Sequence, residues 1–375
     1  MIKTDYLIVG SGLYGSVLAE RIANVLKKKV TIIEKRNHIG GNCYSEIDKK
    51  TGIEYHKYGT HIFHTSNETV WNYLSKFCEL NSYRHQVLSK YKNKIYQLPI
   101  NLETINSFFN KNFNPKEAHT FLERKTKKFK KKEYNNFEEK ALSQIGKELY
   151  EAFIKGYTKK QWDKDPSKLP STIFNRLPLR FNYNEDYFNN CKYQGIPEKG
   201  YTEIFKKLLN NKNITIHTNK KFYLNNNYKV KYSTIYTGPL DKLFNYKFGK
   251  LEWRSLRFKK EVFKTDDHQG TSVINFPEKK YQYTRIHEPR HLHDNRNYSK
   301  AKTLTIKEYP DSNFKEPYYP INTNLNRDMH RKYKTLVKNK KNFEIGGRLA
   351  DYAYYDMDMT ISAALKKFDL LKKIN

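Results

Sequence analysis

The chain opens with an apolar run, Tyr6-Leu-Ile-Val9, which three glycines follow at once, and then sets Val17, Leu18, Ile22, Val25 and Leu26 at helical intervals. The run reads as a buried strand over Asp5 to Gly10. The spaced residues read as a helix over Ser16 to Leu26, because a period near 3.6 puts them on one face. Val30-Thr-Ile-Ile33 reads as a second buried strand and completes a β–α–β unit. From about Glu68 to Tyr157 the pattern is mainly helical. Trp71, Leu74, Phe77 and Cys78 fall on one face, as do Leu142, Ile145, Leu149 and Phe153. Pro99 and Pro115 punctuate this stretch, and Pro166, Pro170 and Pro178 mark its exit. Between Arg180 and Leu336 short alternating segments take over, such as Ser272–Phe276 and Thr303–Ile306, which predict antiparallel strands. Ile214-Thr-Ile216 and Ser233-Thr-Ile-Tyr236 read as strands returning to the first unit. Ile361, Leu365, Phe368 and Leu371 share one face of a closing helix.

Composition adds limits. The chain has 375 residues and is only 37% hydrophobic, which leans toward disorder, yet 31 Tyr, 22 Phe and 3 Trp supply the ring surface a core needs. No apolar run approaches the roughly 20 residues of a membrane helix. The opening segment, broken by glycines, is unlike a signal peptide. Cys43, Cys78 and Cys191 are far apart and form no C-x-x-C pair, so neither a disulfide framework nor a metal site is expected and a cytoplasmic location fits. The formal net charge is +32. A nucleic-acid partner is one reading of it. However, Lys and Asn abound throughout, and the one dense run, Lys125 to Lys132, suits a solvated face, so no nucleic acid is expected.

The first glycines spell Gly10-Ser-Gly12-Leu13-Tyr14-Gly15, which is G-x-G-x-x-G between a predicted strand and a predicted helix. That context gives the motif its mechanism: a tight turn, close approach of a pyrophosphate, and free amides at the helix N-terminus. Glu34 ends the second strand, where a carboxylate accepts from a ribose hydroxyl. After it come Lys35-Arg36-Asn37-His38-Ile39-Gly40-Gly41-Asn42, and near the end Phe343-Glu-Ile-Gly-Gly347-Arg348. An acid at the strand end followed soon by Gly-Gly resembles flavoproteins of the amine-oxidase and glutathione-reductase-like group. The late glycine element fits a strand returning to the flavin, so FAD is the cofactor this resemblance implies. The resulting expectation is a mixed α/β protein. It has a Rossmann-like FAD-binding domain (1–75, 210–245 and 335–375), an inserted helical domain (76–165) and an antiparallel β-sheet domain (166–209 and 246–334).

Further elements are His56-Lys-Tyr-Gly-Thr-His61-Ile-Phe-His64, Lys155-Gly-Tyr157-Thr-Lys-Lys-Gln161-Trp162 and Tyr193-Gln-Gly-Ile-Pro197. Then follow Tyr236-Thr-Gly-Pro239, Tyr283-Thr-Arg285-Ile286, Glu316-Pro-Tyr-Tyr-Pro320 and Gly346-Gly-Arg348 through Asp356-Met357. In this order, from about Asp5 to Leu365, they closely resemble the prokaryotic UDP-galactopyranose mutase family.

The resemblance implies a flavin-dependent isomerase that interconverts UDP-galactopyranose and UDP-galactofuranose and supplies galactofuranose for surface glycans. It implies attack by N5 of the reduced flavin on the anomeric carbon, NAD(P)H as external reductant, and a homodimer. Arg176 and Arg285 match its two essential arginines near the diphosphate. Tyr187, Tyr319 and Tyr354 match phosphate contacts, and Phe153, Tyr157, Thr158 and Trp162 match the uridine side. Asn81 and Asn275 are weaker matches for nucleotide hydrogen bonds. His61 matches a histidine beside the flavin, with His64 its partner, and Lys35, Asn42, Phe222, Gly347, Arg348 and Tyr354 join the cofactor set. Amides at Asp356-Met357, opening the last helix, suit the negative edge of a reduced flavin; plain capping by Asp356 or Asp358 is the alternative. The segment Asp163 to Pro170 is a candidate lid. Two alternatives share the fold: an FAD oxidoreductase of the amine-oxidase group, and a mutase that also takes the N-acetyl sugar.

Overall fold

In a computed structural model the described residues are all but 1, 177, 189–190, 227, 312–315 and 375, and the side chains of 175, 176 and 374 are likewise outside the description. The N-terminal strand forms at Lys3–Val9, its helix at Leu13–Val25 and the second strand at Val30–Ile33. Three distant segments complete a five-stranded parallel sheet in the order Phe343–Ile345, Lys229–Tyr236, Lys3–Val9, Val30–Ile33, Ile214–His217. Every residue of Val30–Ile33 is buried, as a central parallel strand requires. On one face, Val17, Leu18 and Ile22 of the first helix pack with Ile361, Ala364 and Phe368 of the last helix, Met357–Ile374, and with Phe205 and Leu208 of Tyr201–Leu209. On the other, Tyr236, Leu240, Leu251, Tyr333 and Val337 form a second core.

A seven-stranded sheet runs Tyr319–Pro320, Trp253–Phe263, Thr303–Asp311, Arg285–His287, Val273–Asn275, Val87–Tyr91, Lys94–Leu98. All its pairings are antiparallel except Val273–Asn275 with Val87–Tyr91. The hairpin Val87–Leu98 is a correction to the mainly helical pattern read from Glu68 to Tyr157. Its turn, Lys92-Asn93, has both residues at positive φ (47° and 63°), as a two-residue hairpin demands. Phe77 and Cys78 also lie beyond the helix Glu68–Leu74 rather than on its face.

Between that hairpin and Leu149 the helices Leu102–Phe109, Pro115–Thr126 and Phe137–Leu149 enclose Leu102, Ile105, Leu122, Phe137, Ile145 and Leu149. Asn101, Asn114 and Asn136 cap them, each accepting from the backbone amide three residues on, at 2.9 to 3.0 Å. After Leu149 the chain makes a π-helical turn, Tyr150–Lys155, and continues as the short helix Gly156–Trp162. This run delivers Phe153, Tyr157 and Trp162 to the seven-stranded sheet, beside Tyr96, Arg285 and Tyr319.

Candidate active site

One cleft of about 2280 Å³ runs from the glycine turn to the short helix. At its first end Gly10 has φ +108°, and a Cβ there would fall 2.2 Å from Thr237 Oγ1, so glycine is obligatory. Across the turn a Cβ on Gly41 would lie 2.9 Å from the Cα of Gly12, so bare backbone lines this slot from both sides. The first helix has Gly12 at its cap position, no side-chain cap and no acidic residue in its first turn. Its leading amides therefore have no intrahelical or capping partner, which suits a phosphate.

Glu34 is 5% exposed. Its Oε2 accepts from Ser11 N (2.9 Å) and Ser11 Oγ (2.8 Å), and its Oε1 from Arg36 N (2.8 Å). A carboxylate has about four acceptor sites, so Glu34 braces the glycine turn and keeps capacity for a ribose hydroxyl. Lys35 and Arg36 both pair with Glu316, at 2.8 and 3.1 Å, and Arg36 also donates to Asn42 Oδ1 at 3.0 Å. Leu13, Tyr14, Gly15, Phe222, Gly347, Asp356 and Met357 line the same end. At the last helix, Asp358 Oδ1 accepts from Met359 N and its Oδ2 from Thr65 Oγ1, while the Asp356 carbonyl accepts from Thr360.

The middle of the cleft is built by sheet register. Asn275 pairs with Arg285 and Arg285 with Glu308, which sets three polar side chains in a row on adjacent strands. Arg285 donates to the Tyr157 hydroxyl, and its Nε stands 3.5 Å from Glu308 Oε1 without forming a hydrogen bond. Burial opposes ionisation of Glu308, but Arg285 and His287 hold its carboxyl below the usual range. Opposite, Tyr319 and Tyr354 stack at 5.3 Å and 11°, with the Arg348 guanidinium 5.1 and 5.0 Å from their rings. Arg348 Nε and Nη2 are buried, and neither has a hydrogen-bond partner among the described residues.

His61 is fixed from both sides. Its amide donates to His56 Nδ1 (2.9 Å) and its own Nδ1 meets the Gly59 carbonyl at 2.6 Å. A nitrogen against a carbonyl must carry the proton. Burial, aided by Arg348, pulls the ring's pKa down to about 4, so at neutral pH His61 is uncharged and its Nε2 is an acceptor. His64 lines the cleft too, stacked on Phe188 at 3.6 Å.

At the far end Phe153, Tyr157, Thr158, Gln161 and Trp162 form the wall, with Tyr187 and Asn275 across from them. Asn275 is 8% exposed and its Oδ1 lacks a hydrogen-bond partner among the described residues. Lys160 Nζ donates to the carbonyls of Phe276, Glu278, Tyr281 and Tyr283, and buried Arg254 donates to the carbonyls of Lys160 and Gln161. Two expected residues stand apart. Asn81 does not line the cleft: its amide is consumed by Leu292 O, Tyr83 N and Ile196 N. The side chain of Arg176 lies outside the described residues, although the 3-10 segment Ser171–Arg176 adjoins the cleft through Thr172, Ile173 and Phe174. Sequence reasoning missed Glu308, Lys160 and Arg254, whose charged types look like surface in so basic a chain.

FAD suits this cleft on the donor chemistry alone. An uncapped helix N-terminus, a backbone-lined slot and a braced carboxylate occupy one end, and an unpaired guanidinium sits past them. Residues 152–354 match the UDP-galactopyranose mutase family, and residues 8–77 match an NAD(P)-binding Rossmann-like domain. A probable UDP-galactopyranose mutase from Klebsiella pneumoniae is 41% identical over 98% of this chain and 95% of its own length. A dTDP-fucopyranose mutase from Escherichia coli is 39% identical over 98% of each chain. A crystal structure of reduced UDP-galactopyranose mutase has a TM-score of 0.79 at 13% identity, covering all of this chain and 95% of that one, which shows a common fold. Identity near 40% along almost the whole length goes further than the fold does, and on it this chain belongs to the UDP-galactopyranose mutase family.

Proposed function

We propose that this protein interconverts UDP-galactopyranose and UDP-galactofuranose with FAD in its reduced form. The observation that carries the reading is the buried, unpartnered face of Arg348, set on two tyrosine rings midway along the cleft. Two buried guanidinium nitrogens without a partner among the described residues call for an anion, and a diphosphate between nucleotide and cofactor supplies one.

Reduced FAD, when bound, supplies the nucleophile that exchanges with UDP at the anomeric carbon. The chain's own residues hold, neutralise and exclude. The amides after Gly10, Gly12 and Gly15 take the FAD pyrophosphate and Glu34 a ribose hydroxyl, while Leu13, Tyr14, Lys35, Asn42, Phe222, Gly347 and Met357 shape that pocket. Arg285, with Arg176, stabilises charge that grows on the departing diphosphate. The hydroxyls of Tyr187, Tyr319 and Tyr354 donate to the same phosphates. Trp162, Phe153 and Tyr157 wall the uridine, with Thr158 and Asn275 as its polar contacts. His61 offers Nε2 as an acceptor beside the cofactor. The amides at Asp356-Met357, which line the cleft, would suit its negative edge.

The isomerisation is redox-neutral, so NAD(P)H is needed only to prime the cofactor. A homodimer in the cytoplasm, supplying galactofuranose to surface glycans, completes the reading. The test is chromatography of UDP-galactofuranose incubated with purified protein, with and without dithionite. Conversion to UDP-galactopyranose only in the reduced state is expected. Net electron transfer to or from the sugar would instead favour the amine-oxidase-like alternative. A dTDP-linked 6-deoxy sugar is a second reading, favoured by the near-equal identity to the dTDP-fucopyranose mutase. Competition between dTDP-fucofuranose, the N-acetyl analogue and UDP-galactofuranose separates these substrates.

A further inference from the structure

The short helix Gly156–Trp162 provides Tyr157, Thr158, Gln161 and Trp162 to the cleft, yet seven residues have little stability of their own. Arg254 ties its last turn to the sheet, donating to Gln161 O at 2.8 Å and Lys160 O at 3.2 Å. On another side Lys160 Nζ sits among the carbonyl oxygens of Phe276 (2.5 Å), Glu278 (3.1 Å), Tyr281 (3.0 Å) and Tyr283 (2.9 Å). An ammonium has three protons, so four oxygens around it share one charge as a cage rather than as separate bonds. Those carbonyls all belong to the connection between the strands Val273–Asn275 and Arg285–His287, whose facing ends are Asn275 and Arg285. Helix and connection also meet backbone to backbone, for a Cβ on Gly156 would lie 2.3 Å from the Pro277 carbonyl oxygen.

We propose that Lys160 is a positioning residue for the nucleotide end of the site: its caged ammonium fixes the aromatic helix relative to Asn275 and Arg285. The proposal rests on the reading of that end as the uridine pocket. Removing the charge takes that donor from the carbonyls of Phe276, Tyr281 and Tyr283 and leaves Glu278 O with the Tyr281 amide, so the connection must open to hydrate the rest. Tyr157 and Trp162 then lose their set distance from Asn275. The cofactor end lies in another sheet and is left as it was.

The test is Lys160→Met, which keeps the stem and removes the charge. UDP binding to the oxidised holoenzyme is measured by calorimetry, beside KM and kcat for UDP-galactofuranose after reduction. UDP affinity is expected to fall, and KM to rise, about tenfold, the scale of leaving a buried acceptor unpaired, with kcat within about twofold and FAD content unchanged. Lys160→Ala assayed with n-propylammonium should regain UDP affinity, whereas tetramethylammonium, which has no N–H, should restore nothing. Wild-type UDP affinity in Lys160→Met overturns the proposal. If that variant fails to retain FAD, absence of rescue in Lys160→Ala overturns it instead. Wild-type protein that binds UDP but isomerises nothing removes the proposed function and leaves the role of Lys160 standing. Wild-type protein that binds no UDP removes both.

Discussion

Arg285 and Arg348 are the two described cations of the cleft's centre, and they are held in opposite ways. Arg285 has a carboxylate behind it, since Glu308 is 3% exposed and shares its register row. Arg348 has only ring faces and two open nitrogens. Replacing Arg348 by Lys keeps the charge but loses both the planar stack and the fork. Its kcat/KM for UDP-galactofuranose should fall roughly 10- to 100-fold, matching the 1.5–3 kcal/mol of a charged hydrogen bond. Glu308→Gln should also lower kcat/KM by removing the charge that orients Arg285; a variant with wild-type kinetics would make Glu308 purely architectural. His61, with a pKa near 4, should show no ring titration by NMR between about pH 5.5 and 8. At this scale the glycine turn was legible, because glycine spacing carries its own geometry. Glu308 and Lys160 were not: one looks like a surface position on an alternating strand, the other like one more lysine in Lys159-Lys160. Only the three-strand register and the four-carbonyl cage give them a role.

Among the elements, the β–α–β start was readable to within a few residues, since β-branched strands, a glycine turn and an apolar helix face all agreed. The hairpin Val87–Leu98 was hidden because its turn uses Lys92-Asn93 rather than Asn-Gly, and because Lys90 and Lys94 break the apolar alternation of its strands. The same asparagine excess that blurs the composition does structural work at Asn101, Asn114 and Asn136. Asn136→Ala should cost about 1 kcal/mol of stability in urea unfolding, the usual value of a lost cap. Gly15→Val is more severe, for its Cβ would lie 2.1 Å from the Gly10 carbonyl oxygen. Purified Gly15→Val protein should carry no bound FAD by absorbance.

Taken whole, the molecule combines a +32 charge with histidines buried in the uncharged state. Burial pulls His61 and His293 down to about 4 and His85 to about 3, and it lowers His56 and His287 as well. Unfolded histidines titrate near 6.5, so between about pH 6.5 and 4 the unfolded chain binds more protons than the folded one. Stability must therefore fall as pH drops through that window and recover as it rises. Urea midpoints at pH 7 and pH 5 test this: a lower midpoint at pH 5 is expected, while equal midpoints would mean the histidines are charged in the fold. The mixed α/β class was legible from the alternation of patterns, and so was the return of Ile214-Thr-Ile216 and Ser233-Thr-Ile-Tyr236 to the first sheet. Strand order and register were not, because period and propensity say nothing about which strands neighbour.

The central strand Lys3–Val9 is synthesised before the rest of its sheet, but of its two neighbours one is Val30–Ile33 and the other is Lys229–Tyr236. The sheet gains its other edge only at Phe343–Ile345, and the helix that covers it is the last in the chain. During synthesis the N-terminal unit thus waits, one strand edge open, through most of translation. The FAD fold here is necessarily a late, non-local event. Arrested nascent chains released short of residue 229 should remain open to protease at their N-terminal strand, and FAD should be taken up only after the final helix has emerged.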